Sequence, residues 1–325
     1  MAELTIIEAI RAAILNEMER DERVMVLGLD VGRLGGVFRT TEGMIEKFGR
    51  DRVFDTPLAE ASIVGSAIGL AISGMVPVAE VQFLGFTHQA FHQMGDQLGR
   101  FRYRSRGRYP LPITVRAPMG GGTKTPEFHP DAIEAQFVQS PAIKIAAPSN
   151  PYDAKGMLIE AIRDPDPVLF IEPERLYRKG RAEVPDGEYT VPFGKARVIR
   201  EGEDLTLIGW SAAIEVCEQS AAKLAEEGIK AEVIDLRTLV PLDVETMVAS
   251  VTKTGRCVVV HEAPLSAGFG AEVVATLQEE AFYNLDAPIA RVASFDTPYP
   301  PASLETAWLP SVGRVVAAAK RTVNG

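Results

Sequence analysis

Arg23-Val24-Met25-Val26-Leu27-Gly28-Leu29 is a short, almost unbroken apolar run that stops at a glycine. A strand buried on both faces reads this way, because helices cover both sides of a parallel sheet. Upstream, Ile6, Ile7, Ile10, Ala13, Ile14 and Met18 recur at helical spacing behind a Thr5/Glu8 capping box. Downstream the same alternation repeats. It predicts a helix around 41–48, a strand near 52–54, a helix over 60–73, a strand over 76–83, a helix over 87–103 and a strand over 112–116. A glycine loop, a strand over 143–146, a helix opened by Asn150-Pro151 and a last strand over 168–171 complete this half. Strands alternating with helices specify an α/β domain around a parallel sheet.

Between 176 and 204 charge, proline and glycine concentrate without periodicity, as in Arg178-Lys179-Gly180-Arg181 and Val184-Pro185-Asp186-Gly187. That texture marks an interdomain connection, and the boundary is placed near 190. The alternation then restarts with strands expected at 205–209, 231–235, 257–261 and 289–292 and helices at 212–227, 243–253, 271–282 and 311–321. The reading is two doubly wound α/β domains, 1–190 and 191–325.

Composition narrows the function. The 34 Lys+Arg against 44 Asp+Glu leave a net charge of −10, which argues against a chain that binds phosphate backbones, so no nucleic acid partner is expected. No run approaches the ~18 apolar residues of a membrane span. Two cysteines, Cys217 and Cys257, make no disulfide framework and suit a reducing compartment, so a cytoplasmic location is expected. Gly28-Leu29-Asp30-Val31-Gly32 and Gly268-Phe269-Gly270 both miss the glycine spacing of a dinucleotide fingerprint. His88 and His92 lie four apart but lack the glutamate of a zinc helix.

Four segments carry chemistry. Asp55-Thr56-Pro57-Leu58-Ala59-Glu60 puts a carboxylate where a helix begins, either as a reactive group or as a charge matched to the helix N-terminus. Glu80-Val81-Gln82-Phe83-Leu84-Gly85-Phe86 places polar groups and aromatics at the end of a strand, where open α/β sheets bind ligands, unless the aromatics are simply core. Gly120-Gly121-Gly122 leads to Pro126-Glu127-Phe128-His129-Pro130-Asp131, a mobile glycine loop ending in a histidine suited to proton transfer or to a structural role. Five arginines alternate through Arg100–Arg108 with interleaved aromatics, reading as a protein interface or a solvated helix end.

These segments, with Gly35-Gly36-Val37-Phe38, Pro151-Tyr152-Asp153-Ala154-Lys155-Gly156, Ala161-Ile162-Arg163-Asp164, Asp235-Leu236-Arg237-Thr238, Lys253-Thr254-Gly255-Arg256 and Phe295-Asp296-Thr297-Pro298-Tyr299-Pro300, run nearly end to end. Together they resemble the beta subunit of the thiamin-diphosphate-dependent dehydrogenase component of 2-oxo acid dehydrogenase complexes. The resemblance implies a pyrimidine-binding domain followed by a transketolase-type C-terminal domain. It implies that Glu60 hydrogen-bonds the cofactor's aminopyrimidine ring, that Phe86 packs on that ring, and that Leu58 and Gln82 are its neighbours. His129 matches a loop histidine that handles protons near the reacting carbon. Leu29 and Gln89 stand beside the cofactor where many relatives carry acidic residues that have been proposed to couple paired sites. Ile113, Ala161, Ile162, Asp164 and Asp166 match a monovalent cation (potassium) site built mostly from backbone carbonyls.

The family's Gly-Asp-Gly motif for Mg²⁺ and diphosphate is missing, since the single Gly-Asp, Gly95-Asp96, precedes Gln97. The resemblance therefore implies that a separate alpha subunit holds that half of the cofactor in an α₂β₂ heterotetramer, which passes acyl groups to a lipoyl acyltransferase core. The histidine loop looks more like pyruvate enzymes. Branched-chain 2-oxo acid or acetoin dehydrogenase, a non-catalytic assembly module and a flavodoxin-like electron carrier are the alternatives.

Overall fold

The computed structural model describes residues 1–324. Its larger sheet has seven strands, in spatial order Thr238–Val240, Lys144–Ala146, Val168–Pro173, Thr114–Met119, Val76–Glu80, Val24–Gly28 and Val53–Asp55. The six strands from the first half are mutually parallel. Every residue of Val24–Gly28, Val76–Glu80 and Thr114–Met119 is buried, as a sheet covered on both faces requires. The helix Ile6–Arg20 is opened by the Thr5/Glu8 capping box and packs along Pro151–Arg163, which Asn150 caps. Ile10 and Ile14 are fully buried at this contact, each stabilising by about 1.5–3 kcal/mol relative to exposure.

The smaller sheet runs Ala290–Ser294, Cys257–Pro264, Leu205–Gly209, Ala231–Asp235 and Arg197–Arg200, parallel except for the last strand. Helices Ala213–Glu226, Val244–Thr254, Gly270–Ala281 and Val312–Asn324 cover it. The two-domain α/β class expected from the sequence is the one observed.

Three local expectations need correction. The strand expected over 76–83 ends at Glu80, and the single helix expected over 87–103 is instead a 3₁₀ segment Leu84–Ala90, a π-helix His92–Leu98 and a short α-helix Gly99–Arg104. Tertiary contact overrides helical periodicity here: a Cβ at Gly85 would lie 2.0 Å from the Phe128 carbonyl oxygen, so this backbone is pressed against the histidine loop. The connection 176–204 is also structured. Ala182–Val184 pairs antiparallel with Ala2–Leu4, and Arg197–Arg200 edges the smaller sheet. Thr238–Val240 from the second half also joins the larger sheet, as an antiparallel edge strand beside Lys144–Ala146.

Candidate active site

In the larger sheet the chain leaves Val24–Gly28 toward Val53–Asp55 on one side and returns to Val76–Glu80 on the other. That reversal opens a crevice at the carboxyl ends of these two adjacent strands, Val24–Gly28 and Val76–Glu80, where doubly wound sheets bind ligands. Gly28 lies opposite Glu80 in the register, so Leu29 and Gln82, both half-buried, follow at the crevice. Thr56 N–H donates to the Gly28 carbonyl at 2.9 Å, and Asp55 accepts from the Gly32 amide at 2.7 Å, which fixes the path into the next helix. That helix, Glu60–Ile72, starts without a side-chain cap and packs against Leu84–Ala90. Glu60 is 5% exposed, and its Oε2 is buried without a hydrogen-bond partner. Matching a helix dipole explains a charge near this terminus but not an orphaned buried oxygen, which costs about 1–3 kcal/mol until a donor arrives.

Aromatic rings cluster on the segment that the helix Glu60–Ile72 packs against. His129 sits 5.0 Å from Phe86 and 4.6 Å from Phe83, centroid to centroid, both edge-on. Sequence reasoning placed Phe86 and His129 in separate segments, and the structure brings them together. Leu58, 69% exposed, and Gln89, also exposed, stand at the surface.

Beneath the crevice lies a charged support. Arg116 is 1% exposed; its Nε and Nη2 donate to the two carboxylate oxygens of Glu172 at 2.7 Å each, and its Nη1 donates to Glu80. Tyr177 donates to Glu172 as well. Burial works against a charge on Arg116, but the flanking Glu172 and Glu80 hold it firmly protonated, while burial pushes Glu80 up despite Arg116.

The glycine loop differs from its expected mobility. Gly121 is buried, and its amide donates to Glu262 Oε2 at 3.1 Å; the Gly122 and Lys124 amides both donate to Glu305 Oε1 at 3.0 Å. Tyr299 donates to the same Glu305 oxygen at 2.6 Å. Arg175 pairs with Glu262 and donates to the Ala212 carbonyl at 2.6 Å. Thr123 donates to Glu174 at 2.9 Å, and burial pushes the Glu174 carboxyl up to about 7, against that hydrogen bond and the nearby His129. Deeper, Glu134 and His261 are fully buried with no partner on any side-chain polar atom, and His261 stacks on Trp210 at 5.4 Å.

The residues matched to a cation site do gather at the end of Pro151–Arg163. The Ile113 and Ala161 carbonyls accept from Val168 N–H at 2.9 Å and Asp164 N–H at 3.3 Å, Asp164 faces Lys144 at 2.5 Å, and Asp166 pairs with Arg102. His88 and His92 bond to Gln136 and to Asp96 and Gln97. Among the described residues no group of three or more His, Cys, Asp or Glu side chains is arranged to hold a metal. Likewise, none of the described helices is long and apolar enough to cross a membrane.

Sequence reasoning missed Arg116, Glu172, Glu174, Glu262 and Glu305. A signal existed for most of them: charged residues inside or at the end of otherwise apolar strands, as in Thr114–Met119, Val168–Pro173 and Cys257–Pro264.

The fold and crevice define a two-domain protein of transketolase type: residues 2–179 match the transketolase pyrimidine-binding domain and residues 194–315 the transketolase C-terminal domain. The pyruvate dehydrogenase E1 component subunit beta of Staphylococcus epidermidis is 51% identical over 324 residues, covering 100% of both chains. The protein of that name from Bacillus subtilis is 50% identical with the same coverage. A solved split-gene transketolase, an inactive beta4 tetramer, aligns with a TM-score of 0.80 at 24% identity over 99% of each chain, a likeness of fold. The chain belongs to the family of pyruvate dehydrogenase E1 component beta subunits.

Proposed function

We propose that this chain supplies the pyrimidine half of a thiamin diphosphate site for oxidative decarboxylation of pyruvate, with acyl transfer to lipoyl groups of an acyltransferase core. The observation that carries the reading is Glu60: a carboxylate oxygen, buried and unpartnered, at the start of a helix that packs against Leu84–Ala90, the segment that holds Phe86 beside His129. These residues fit an aminopyrimidine, which offers a ring nitrogen for a carboxyl to bond and a flat face for an aromatic to cover. Thiamin diphosphate, when bound, supplies the electron sink for decarboxylation. Glu60 would hold and share a proton at the ring nitrogen, Phe86 would orient the ring and shed water from it, and His129 would handle protons at the reacting carbon. Leu58, Gln82, Leu29 and Gln89 are its proposed neighbours.

An alpha subunit would hold the diphosphate and Mg²⁺ in an α₂β₂ assembly, with a cytoplasmic location and a domain boundary near 190. A potassium ion on the carbonyls around Ile113, Ala161, Ile162, Asp164 and Asp166 belongs to the same reading, the two carboxylates being neutralised by Lys144 and Arg102. Support for pyruvate comes from relatives that carry that substrate in their names.

The test is co-expression with a candidate alpha chain, followed by turnover on pyruvate, a branched-chain 2-oxo acid and acetoin. Pyruvate is expected to be turned over fastest; preference for another substrate reassigns the specificity. Native cofactor affinity in the isolated chain contradicts the half-site.

A further inference from the structure

The smaller sheet has its own chain reversal, between Leu205–Gly209 and Cys257–Pro264, and so its own crevice at the strand ends. It is filled by the neighbouring domain's glycine loop. Glu262, near the end of Cys257–Pro264, takes the Gly121 amide, and Glu305 Oε1 takes three donors: the Gly122 and Lys124 amides and the Tyr299 hydroxyl. The fit admits no side chain, since a Cβ at Gly121 would lie 2.1 Å from the Tyr299 oxygen. Lys124 is held at φ 59°, in the left-handed region, immediately before the segment that carries His129 to Phe86. Hydrogen bonds from backbone amides to a carboxylate are charge-assisted and directional, so they fix where the loop leaves the crevice.

We propose that Glu305, assisted by Glu262 and Tyr299, is a positioning residue: the C-terminal domain uses its strand-end crevice as a clasp that sets the place of His129 in the active site of the other domain. The inference rests on the role proposed for His129, but the clasp is measurable without it.

The experiment compares wild type, Glu305→Ala, Glu305→Gln and Tyr299→Phe in the assembly with the alpha chain. It reads amide hydrogen exchange over 120–129 and the separate kcat and KM for pyruvate. Glu305→Ala is expected to speed exchange at Gly122 and Lys124 at least tenfold and to lower kcat about 10- to 100-fold, with KM changed much less. Glu305→Gln keeps an acceptor oxygen and is expected to recover most of both, and Tyr299→Phe to fall between. Unchanged exchange in Glu305→Ala overturns the clasp. Faster exchange with undiminished kcat overturns the positioning role. A wild-type assembly inert on every 2-oxo acid instead overturns the functional reading, while the exchange data still decide the clasp.

Discussion

The two domains use the same architecture, a parallel sheet with a chain reversal, and treat the resulting crevice in opposite ways. In the first domain the crevice ends in a carboxylate oxygen of Glu60 that nothing among the described residues satisfies. In the second, one oxygen each of Glu262 and Glu305 accepts from backbone amides of the glycine loop, so the crevice is closed by the protein itself. At Glu60 the unsatisfied acceptor stands at the strand-end side of the first sheet, whereas the Glu262 and Glu305 acceptors are taken up by the chain's own amides and support the glycine loop. Doubly wound geometry alone therefore does not predict a binding site, since the same chain reversal is left open in one domain and filled by the glycine loop in the other.

The comparison breaks most visibly at Arg116, which supports the first crevice from below. Arg116→Met would leave Glu80 and Glu172 buried without their counter-charge and is expected to destabilise by about 3–5 kcal/mol in denaturant unfolding. A loss below about 1 kcal/mol would mean that water reaches the pair and that the support is not dry.

Next in size is the floor of the second crevice. Burial raises the Glu134 carboxyl from 4.5 to about 7, with the nearby Glu262 adding to the effect. The folded chain then binds this proton more tightly than the unfolded one, so the contribution is fully present below the unfolded value of about 4.5 and is lost as pH rises toward 7. Glu134→Gln is expected to remove a pH-dependent penalty of up to about 3 kcal/mol. The measurement is the slope of melting temperature between pH 5 and 8, and an unchanged slope would place Glu134 in contact with water.

Gly121→Ala comes third, at about 1–3 kcal/mol, because its methyl must displace Tyr299 and press on Leu309. A neutral result would show that the loop is not seated in the second crevice.

The two crevices were unequally legible in the sequence. Buried-strand runs such as 24–29 and caps such as Thr5/Glu8 and Asn150-Pro151 declare themselves locally, so the layered fold and the first crevice followed from the order of motifs. Glu60, Phe86 and His129 stood out because a proline, a strand end and a glycine loop flagged them. The second crevice rests on partners far apart in sequence: Gly121 and Glu262 are separated by 141 positions, Gly122 and Glu305 by 183. No local pattern reports such a pairing, and the same glycines that suggested mobility turn out to permit close clasping. The single helix expected over 87–103 fails for a related reason, since the irregular turns of 84–104 answer to contact with Phe128 and Pro141.

The most direct test is turnover of the α/β assembly carrying Glu60→Gln, with its folding and assembly checked in parallel. An unpartnered acceptor held open for the cofactor predicts an unchanged melting transition and assembly, with oxidative decarboxylation of pyruvate lowered at least about 100-fold. Full turnover by that variant would contradict the assignment of the first crevice as the catalytic one.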